Sequence, residues 1–291
     1  MRGMQFHHRI AATALALAAL PVHATDTART AASLQRTQLM AAAFPVGRDR
    51  AEGRLVQLQL PKQDPNTRLA MGGSTGAAAI VSPLQVVRID DEHAVLLTQA
   101  APVGPDGEPE EAHAVGAWLG AYFFTHSSEG WTLSSHVDGV DYGGFSGELG
   151  KSKVERIAPH RYALVLERGS CWQGTCGTWM SVYELDKDRV NLLLQDLPLQ
   201  ASDAEASEAC EDLLAGKTPS EELPAYECFD VAGHYTFAPG SDDAPGELHI
   251  TFSGRQTLNH KLAPAVRETA VYRYGERGYT LFSGRNPTPE F

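Results

Sequence analysis

Two stretches of this chain, "GAWLGAYFF" at 116–124 and "GTWMSVYEL" at 177–185, repeat glycine, tryptophan and tyrosine at identical offsets. Leu119 then matches Met180, and Phe124 matches Leu185. Upstream, "RIDDEHAVLL" (88–97) resembles "RIAPHRYALVL" (156–166) with one residue inserted. Downstream, "EGWTL" (129–133) stands where "DRVNL" (188–192) stands. A unit of about 60 residues present twice constrains the fold strongly, because each copy buries its apolar residues against a neighbour. Those residues follow the alternating or continuous spacing of strands, bounded by Gly, Asp and Ser, so each copy reads as a hairpin meander. Another hairpin closes the chain: "VYRYGERGYTL" (271–281) repeats the order Tyr, aromatic, polar turn and Gly-aromatic-Thr-Leu seen at 121–133. The expected fold is mainly β, an antiparallel meander with a duplicated hairpin unit, sandwich or propeller-like, and few short helices.

Two helices are expected. The first covers 27–44, with Leu34, Met40 and Phe44 on a loose apolar face. The second covers 202–216, where Ser202 is the N-cap candidate, Glu205 follows three residues on, acids fill the early turns and Gly216 ends the run. The chain then divides into a leader at 1–24, an N-terminal helix and Gly/Pro-rich segment at 25–83, the duplicated β unit at 84–200, a helical connector at 201–222 and C-terminal β hairpins at 223–291. Residues 45–83 are punctuated by Pro and Gly and show no clear period.

The leader carries Arg2, His7, His8 and Arg9 ahead of an apolar run of 11 residues, "IAATALALAAL". That run is too short to span a bilayer and suits a secretory signal. Val22 and Ala24 are the small residues before a cut, so the mature chain is expected to start at Thr25 and to work in a bacterial periplasm. Removing two arginines and no acids takes the formal charge from −12 to −14. An acidic balance speaks against nucleic acid and anionic lipid as partners, and no later run is apolar enough to span a membrane. A basic protein partner fits.

Export governs the reading of the four cysteines. An even number in an oxidising compartment points to disulfides. Four residues separate Cys171 from Cys176, where thioredoxin-like pairs have two, and no histidine stands at zinc-ligand spacing near either pair. The local pairing, Cys171–Cys176 and Cys210–Cys228, suits the chain best, the first stapling a turn and the second tying the connector to the final sheet.

Catalytic patterns are few. "GGSTG" (72–76) satisfies G-x-S-x-G and makes Ser74 a candidate nucleophile, yet "DPNTRLAM" before it is a weak strand and "AAAIVSP" after it meets Pro83 too soon for a long helix. A flexible glycine-rich loop is the better reading. "VDGVDYGGFSGELG" (137–150) gathers Asp138, Asp141 and Glu148, where calcium could bind, but lacks the spacing of an EF-hand and reads as a solvated turn. The histidines are scattered. No metal, cofactor or catalytic residue is expected.

The position of two excursions is more informative. The stapled loop 169–176 occupies the place held by "AAPVGPDGEPEEAHAV" (100–115) in the first copy. One excursion carries Asp106, Glu108, Glu110 and Glu111 without a basic residue, and the other carries Trp172 and Gln173 beside a disulfide. Both are expected on one rim, where a rigid aromatic beside charges suits protein recognition.

The exported leader, the "GxWLxxY" repeat, "GGFSGELGKSKV" and the ending "YRYGERGYTLFSGRNP" resemble uncharacterised periplasmic β-rich proteins of proteobacteria. More remotely, the chain resembles inhibitor and immunity proteins that block cell-wall hydrolases, including periplasmic lysozyme inhibitors, over about residues 85–291. That resemblance implies a loop carrying Ser-Gly inserted into a hydrolase cleft, which here singles out Ser146, followed by Lys151. The expectation is a non-enzymatic periplasmic binding or inhibitor-like protein. A secreted hydrolase using Ser74 and a structural envelope protein are the alternatives.

Overall fold

The computed structural model describes residues 29–63, 70–110, 112–219, 222–242 and 244–289. The leader at 1–24 and Glu111 lie outside them. In chain order the first half comprises β1 (Thr30–Ala31), α1 (Arg36–Ala43), β2 (Arg48–Arg50), β3 (Gly53–Gln63), β4 (Ala70–Arg88), β5 (His93–Pro102), β6 (Ala117–Ser127) and β7 (Gly130–Gly143). The second half comprises β8 (Lys151–Ala158), β9 (Arg161–Trp172), β10 (Thr175–Leu185), β11 (Val190–Ser202), α2 (Glu208–Leu214), β12 (Phe229–Phe237), β13 (Leu248–Leu258), β14 (Lys261–Leu262), β15 (Val266–Gly275) and β16 (Gly278–Gly284). The protein is mainly β and antiparallel, as its hairpin patterning predicts.

Two sheets result, a seven-stranded one in the order β1-β7-β6-β5-β4-β3-β2 and a nine-stranded one in the order β16-β15-β13-β12-β11-β10-β9-β8, with β14 paired to β13. Neither closes into a barrel. Strand alternation sends side chains to three cores. Leu96, Tyr122 and Phe124 join Leu39, Met40 and Phe44 on the outer face of the first sheet, under α1. Val95, Leu97, Leu119 and Phe123 point the other way and meet Leu164, Leu166, Tyr183 and Leu185 between the sheets. Val165, Met180 and Val182 turn away from that interface and pack with Val231, Ile250, Phe252 and Tyr272, where the nine-stranded sheet curls over itself.

The duplication is visible in the ladders. Leu96 pairs with Tyr122 as Leu164 pairs with Tyr183, so the upstream match needs no inserted residue, contrary to the sequence alignment. A register shift at Leu119/Ala121 recurs at Met180/Val182, the equivalent position of the second copy. Tyr122 faces the outer core while Tyr183 faces the core between the sheets. The copies therefore stack face to back.

Several local expectations are corrected. The helix expected over 27–44 is limited to α1, because Thr30 and Ala31 pair with β7 as a short strand. The helix expected from Ser202 starts six residues later. Ser202 is paired with Cys176 and Asp230 in the sheet, and Ser207 caps α2 by accepting from the Cys210 amide at 3.1 Å. Residues 45–83, unassigned by pattern, hold β2, β3 and most of β4. "GGSTG" is not a loop: Thr75 pairs with Leu60 and Ser74 with Pro61 inside the β3–β4 ladder. Asp138 and Asp141 lie in β7 rather than in a solvated turn, which is confined to 144–150. Asp138 accepts from the Tyr122 hydroxyl and the Gln59 amide at 2.8 and 2.7 Å, so its oxygens serve the fold and not a calcium site.

Candidate functional site: an acidic rim with an aromatic groove

Connections at the two ends of the strands differ in length. At one end β4–β5, β6–β7, β8–β9 and β10–β11 join through the short turns 89–92, 128–129, 159–160 and 186–189, and β12–β13 through the longer connection 238–247, whose Gly246 amide donates to the Ile157 carbonyl. Lys187 there reaches Asp90 at 2.9 Å, which fixes the two sheets end to end. At the other end lie 103–116, 144–150, the stapled turn 173–174, the connector 203–228 and 259–265, which includes β14. Both excursions singled out by the duplication emerge here. Long connections on a packed scaffold are where binding residues concentrate.

The connections at both ends are acidic, those at the long-connection end more so. In sequence, these five connections hold 13 of the chain's 36 acidic residues and two of its 24 basic ones, a net of −11 against −12 for the whole chain. The rest of the chain holds 23 acids and 22 bases, of which the four short turns hold six acids and two bases. The long connections thus carry the larger net charge of the two ends, −11 in sequence against −7 for the four short turns and 238–247.

Both disulfides are formed. Cys171 and Cys176 are direct partners in the β9–β10 ladder, and Cys210 on α2 is bonded to Cys228 beside β12. They point to an oxidising, extracellular-type environment. The sulfurs of Cys210 and Cys228 approach Asp203 closely, but they are bonded to each other and are not free to ligate a metal. Burial raises the Asp203 pKa above the usual carboxylate range, against the hydrogen bond from the Phe229 amide.

The staple shapes the hairpin tip. Gln173 and Gly174 both take positive φ, 51° and 83°, as a two-residue turn between antiparallel strands prefers. A Cβ on Gly174 would sit 2.4 Å from the Glu205 carbonyl oxygen, so the tip rests against the connector. Trp172 projects from it, 67% exposed. His113, from the acidic excursion, lies 5.9 Å from the Trp172 ring and 5.6 Å from the Phe145 ring, with Nε2 3.1 Å from the Ser170 hydroxyl. Ser146, next to Phe145, also takes positive φ (54°), and its amide donates to the His113 carbonyl at 3.3 Å.

Two grooves flank this junction. One, of about 570 Å³, is lined by Phe145, Trp172, Trp179 and Tyr226 together with Ser170, Gln173, Thr175 and Ala206. The other, of about 560 Å³, runs past His113, Ser146, Thr178 and Gln200. Among the described residues, carboxylate side chains line neither.

Trp172, Gln173 and Ser146 are therefore brought together. The acids are not. Glu108 leans away to Arg50 on β2 at 3.9 Å, Asp106 accepts from the Glu108 amide within the arm at 3.1 Å, and Glu110 approaches Gly147 through its carbonyl oxygen. They border the rim rather than line the groove. His113, Phe145, Trp179 and Tyr226 were not singled out from the sequence. The tryptophan match at 118 and 179 drew attention to Trp179 as a repeat marker only, and Tyr226 stands in a connector read as helix and link.

Beneath the rim an ion network joins the sheets. Arg168 on β9 donates to Asp196 at 3.3 Å, to the Tyr183 hydroxyl at 3.1 Å and to Asp141 of β7, to which Tyr183 also donates. Burial opposes the charge on Arg168, yet Tyr183, Asp141 and Asp196 hold its pKa above the ordinary value. Burial likewise raises Tyr183. These groups are consumed by one another and by the fold.

Comparison with protein-family models, curated proteins and solved structures found no match for this chain.

Proposed function

We propose that this protein is an exported, non-catalytic binding protein of the bacterial periplasm, and that the acidic rim recognises a basic protein. The observation that carries the reading is the coincidence, at one end of the molecule, of connections with a net −11 in sequence and a stapled, exposed tryptophan. A fixed aromatic loses little conformational entropy on binding, and a one-signed field speeds encounter with an opposite charge. A cell-wall hydrolase, the partner class implied by the resemblance to inhibitor and immunity proteins, fits this chemistry. The alternative hydrolase reading has less support, since Ser74 pairs with Pro61 beside a bulge at 72–73 and β4 continues to Arg88 as strand, without the strand-to-helix turn of a nucleophile elbow.

The test is calorimetric titration of a basic lysozyme-type hydrolase into the oxidised protein at two salt concentrations. Binding is expected to weaken with salt, and Trp172→Ala to cost about 2 kcal/mol, roughly 30-fold in Kd. Charge reversal at Glu108 and Glu110 mainly slows association. Heat evolved equally by wild type and Trp172→Ala, or binding indifferent to salt, would count against the rim.

A further inference from the structure

The groove beside Trp172 has a composition of its own. Phe145, Trp172, Trp179 and Tyr226 supply ring surface, while Gln173 and Thr175 supply uncharged hydrogen-bonding groups. Among the described residues no ionisable side chain apart from the Tyr226 phenol lines it, although the surrounding connections carry a net −11 in sequence. Such a site is apolar at contact range and negative at long range. A carboxylate ligand would be repelled by the field. A purely apolar group would leave the field without effect. A cation spread over a plane satisfies both conditions, because ring faces are electron-rich and the acidic rim draws positive charge inward. Among protein side chains, guanidinium fits best: it is planar, weakly hydrated for its charge, stacks on aromatic rings and presents edge donors to acceptors such as the Gln173 and Thr175 side-chain oxygens.

We propose that the aromatic groove seats an arginine side chain presented by a loop of the basic partner. The inference rests on the rim being the recognition surface and adds the group that fills it. The hydroxyl-rich second groove beside Ser146 and His113 would then take the polar flank of the same loop.

The chain has four tryptophans, and they divide cleanly. Trp118 and Trp131 are buried in the core under α1, whereas Trp172 and Trp179 line the groove. Indole N–H resonances can therefore report site occupancy in the intact, oxidised protein. N-acetyl-arginine amide is titrated against its neutral isostere N-acetyl-citrulline amide and against chitotriose, a neutral saccharide. Arginine is expected to shift the Trp172 and Trp179 resonances saturably, leave Trp118 and Trp131 in place and bind at least tenfold tighter than citrulline. Tyr226→Ala, at a half-exposed position of the connector, is expected to weaken the arginine response while the buried Trp118 and Trp131 resonances stay at their wild-type positions. Equal binding of citrulline, tighter binding of chitotriose, or no arginine response overturns the proposal. A basic protein that moves the same resonances while arginine does not would retain the rim and remove the arginine seat. The reverse outcome would retain the seat and remove the basic-protein reading.

Discussion

Arg168 shows how individual residues hold the scaffold beneath the rim. Its guanidinium is buried between the sheets and shared among Asp141, Asp196 and Tyr183. Gly143 makes room for it, since a Cβ there would come within 2.8 Å of the guanidinium carbon. Arg168→Met leaves the part-buried Asp141 without its cation, while the half-exposed Asp196 keeps Ser181 and water, which costs about 3 kcal/mol. Urea unfolding measures this, and a loss below about 1 kcal/mol would show that the network is incidental. At the opposite end, burial pushes the Asp90 carboxyl up, but the Lys187 ion pair and the bonds from the Glu92 and His93 amides and the His93 ring hold it well below the usual range. With the folded pKa below the unfolded one, the stabilisation is present above about pH 4 and fades as pH falls through the folded value. Asp90→Asn should therefore unfold with a shallower acid dependence than wild type below about pH 4. Parallel acid curves would contradict the assignment.

At the scale of elements, strand patterning was legible because burial is periodic. The alternation that divides Tyr122 from Phe123 and Met180 from Tyr183 between cores is a period of two written in the sequence. What escaped was decided by pairing. Ser202 and Ser207 both offer a capping oxygen, and only the β11–β12 ladder determines that Ser202 is already in a strand. "GGSTG" has poor strand propensity and is held extended by its neighbours Leu60 and Pro61. The grooves escaped for a related reason: Phe145, Trp179 and Tyr226 come from three separate elements, and no local spacing announces that they meet. The cysteine pairing was legible because both bridges are local. Thiol titration of the denatured, unreduced protein should read near zero, and peptide mapping should recover Cys171–Cys176 and Cys210–Cys228. Cys171→Ser with Cys176→Ser should cost about 2 kcal/mol by loop-closure entropy. The same double variant should weaken partner binding by more than its loss of stability explains, because the Trp172 tip is no longer pinned. Unchanged partner affinity in that variant would show that the staple serves the fold alone.

For the whole molecule, three packed cores make a scaffold whose two ends differ. One end is closed by four short turns, the 238–247 connection and the Asp90–Lys187 bridge. The other spreads into long connections that hold the larger net charge, both disulfides and the exposed Trp172 and Tyr226. This polarity is the central claim, and hydrogen–deuterium exchange of the protein with and without a basic lysozyme-type hydrolase tests it most directly. Protection is expected in 103–116, 144–150, 170–176 and 203–228, with 89–92, 128–129, 159–160 and 186–189 exchanging as in the free protein. Protection at the short-turn end, or none at the rim under conditions where the hydrolase is in saturating excess, would contradict it.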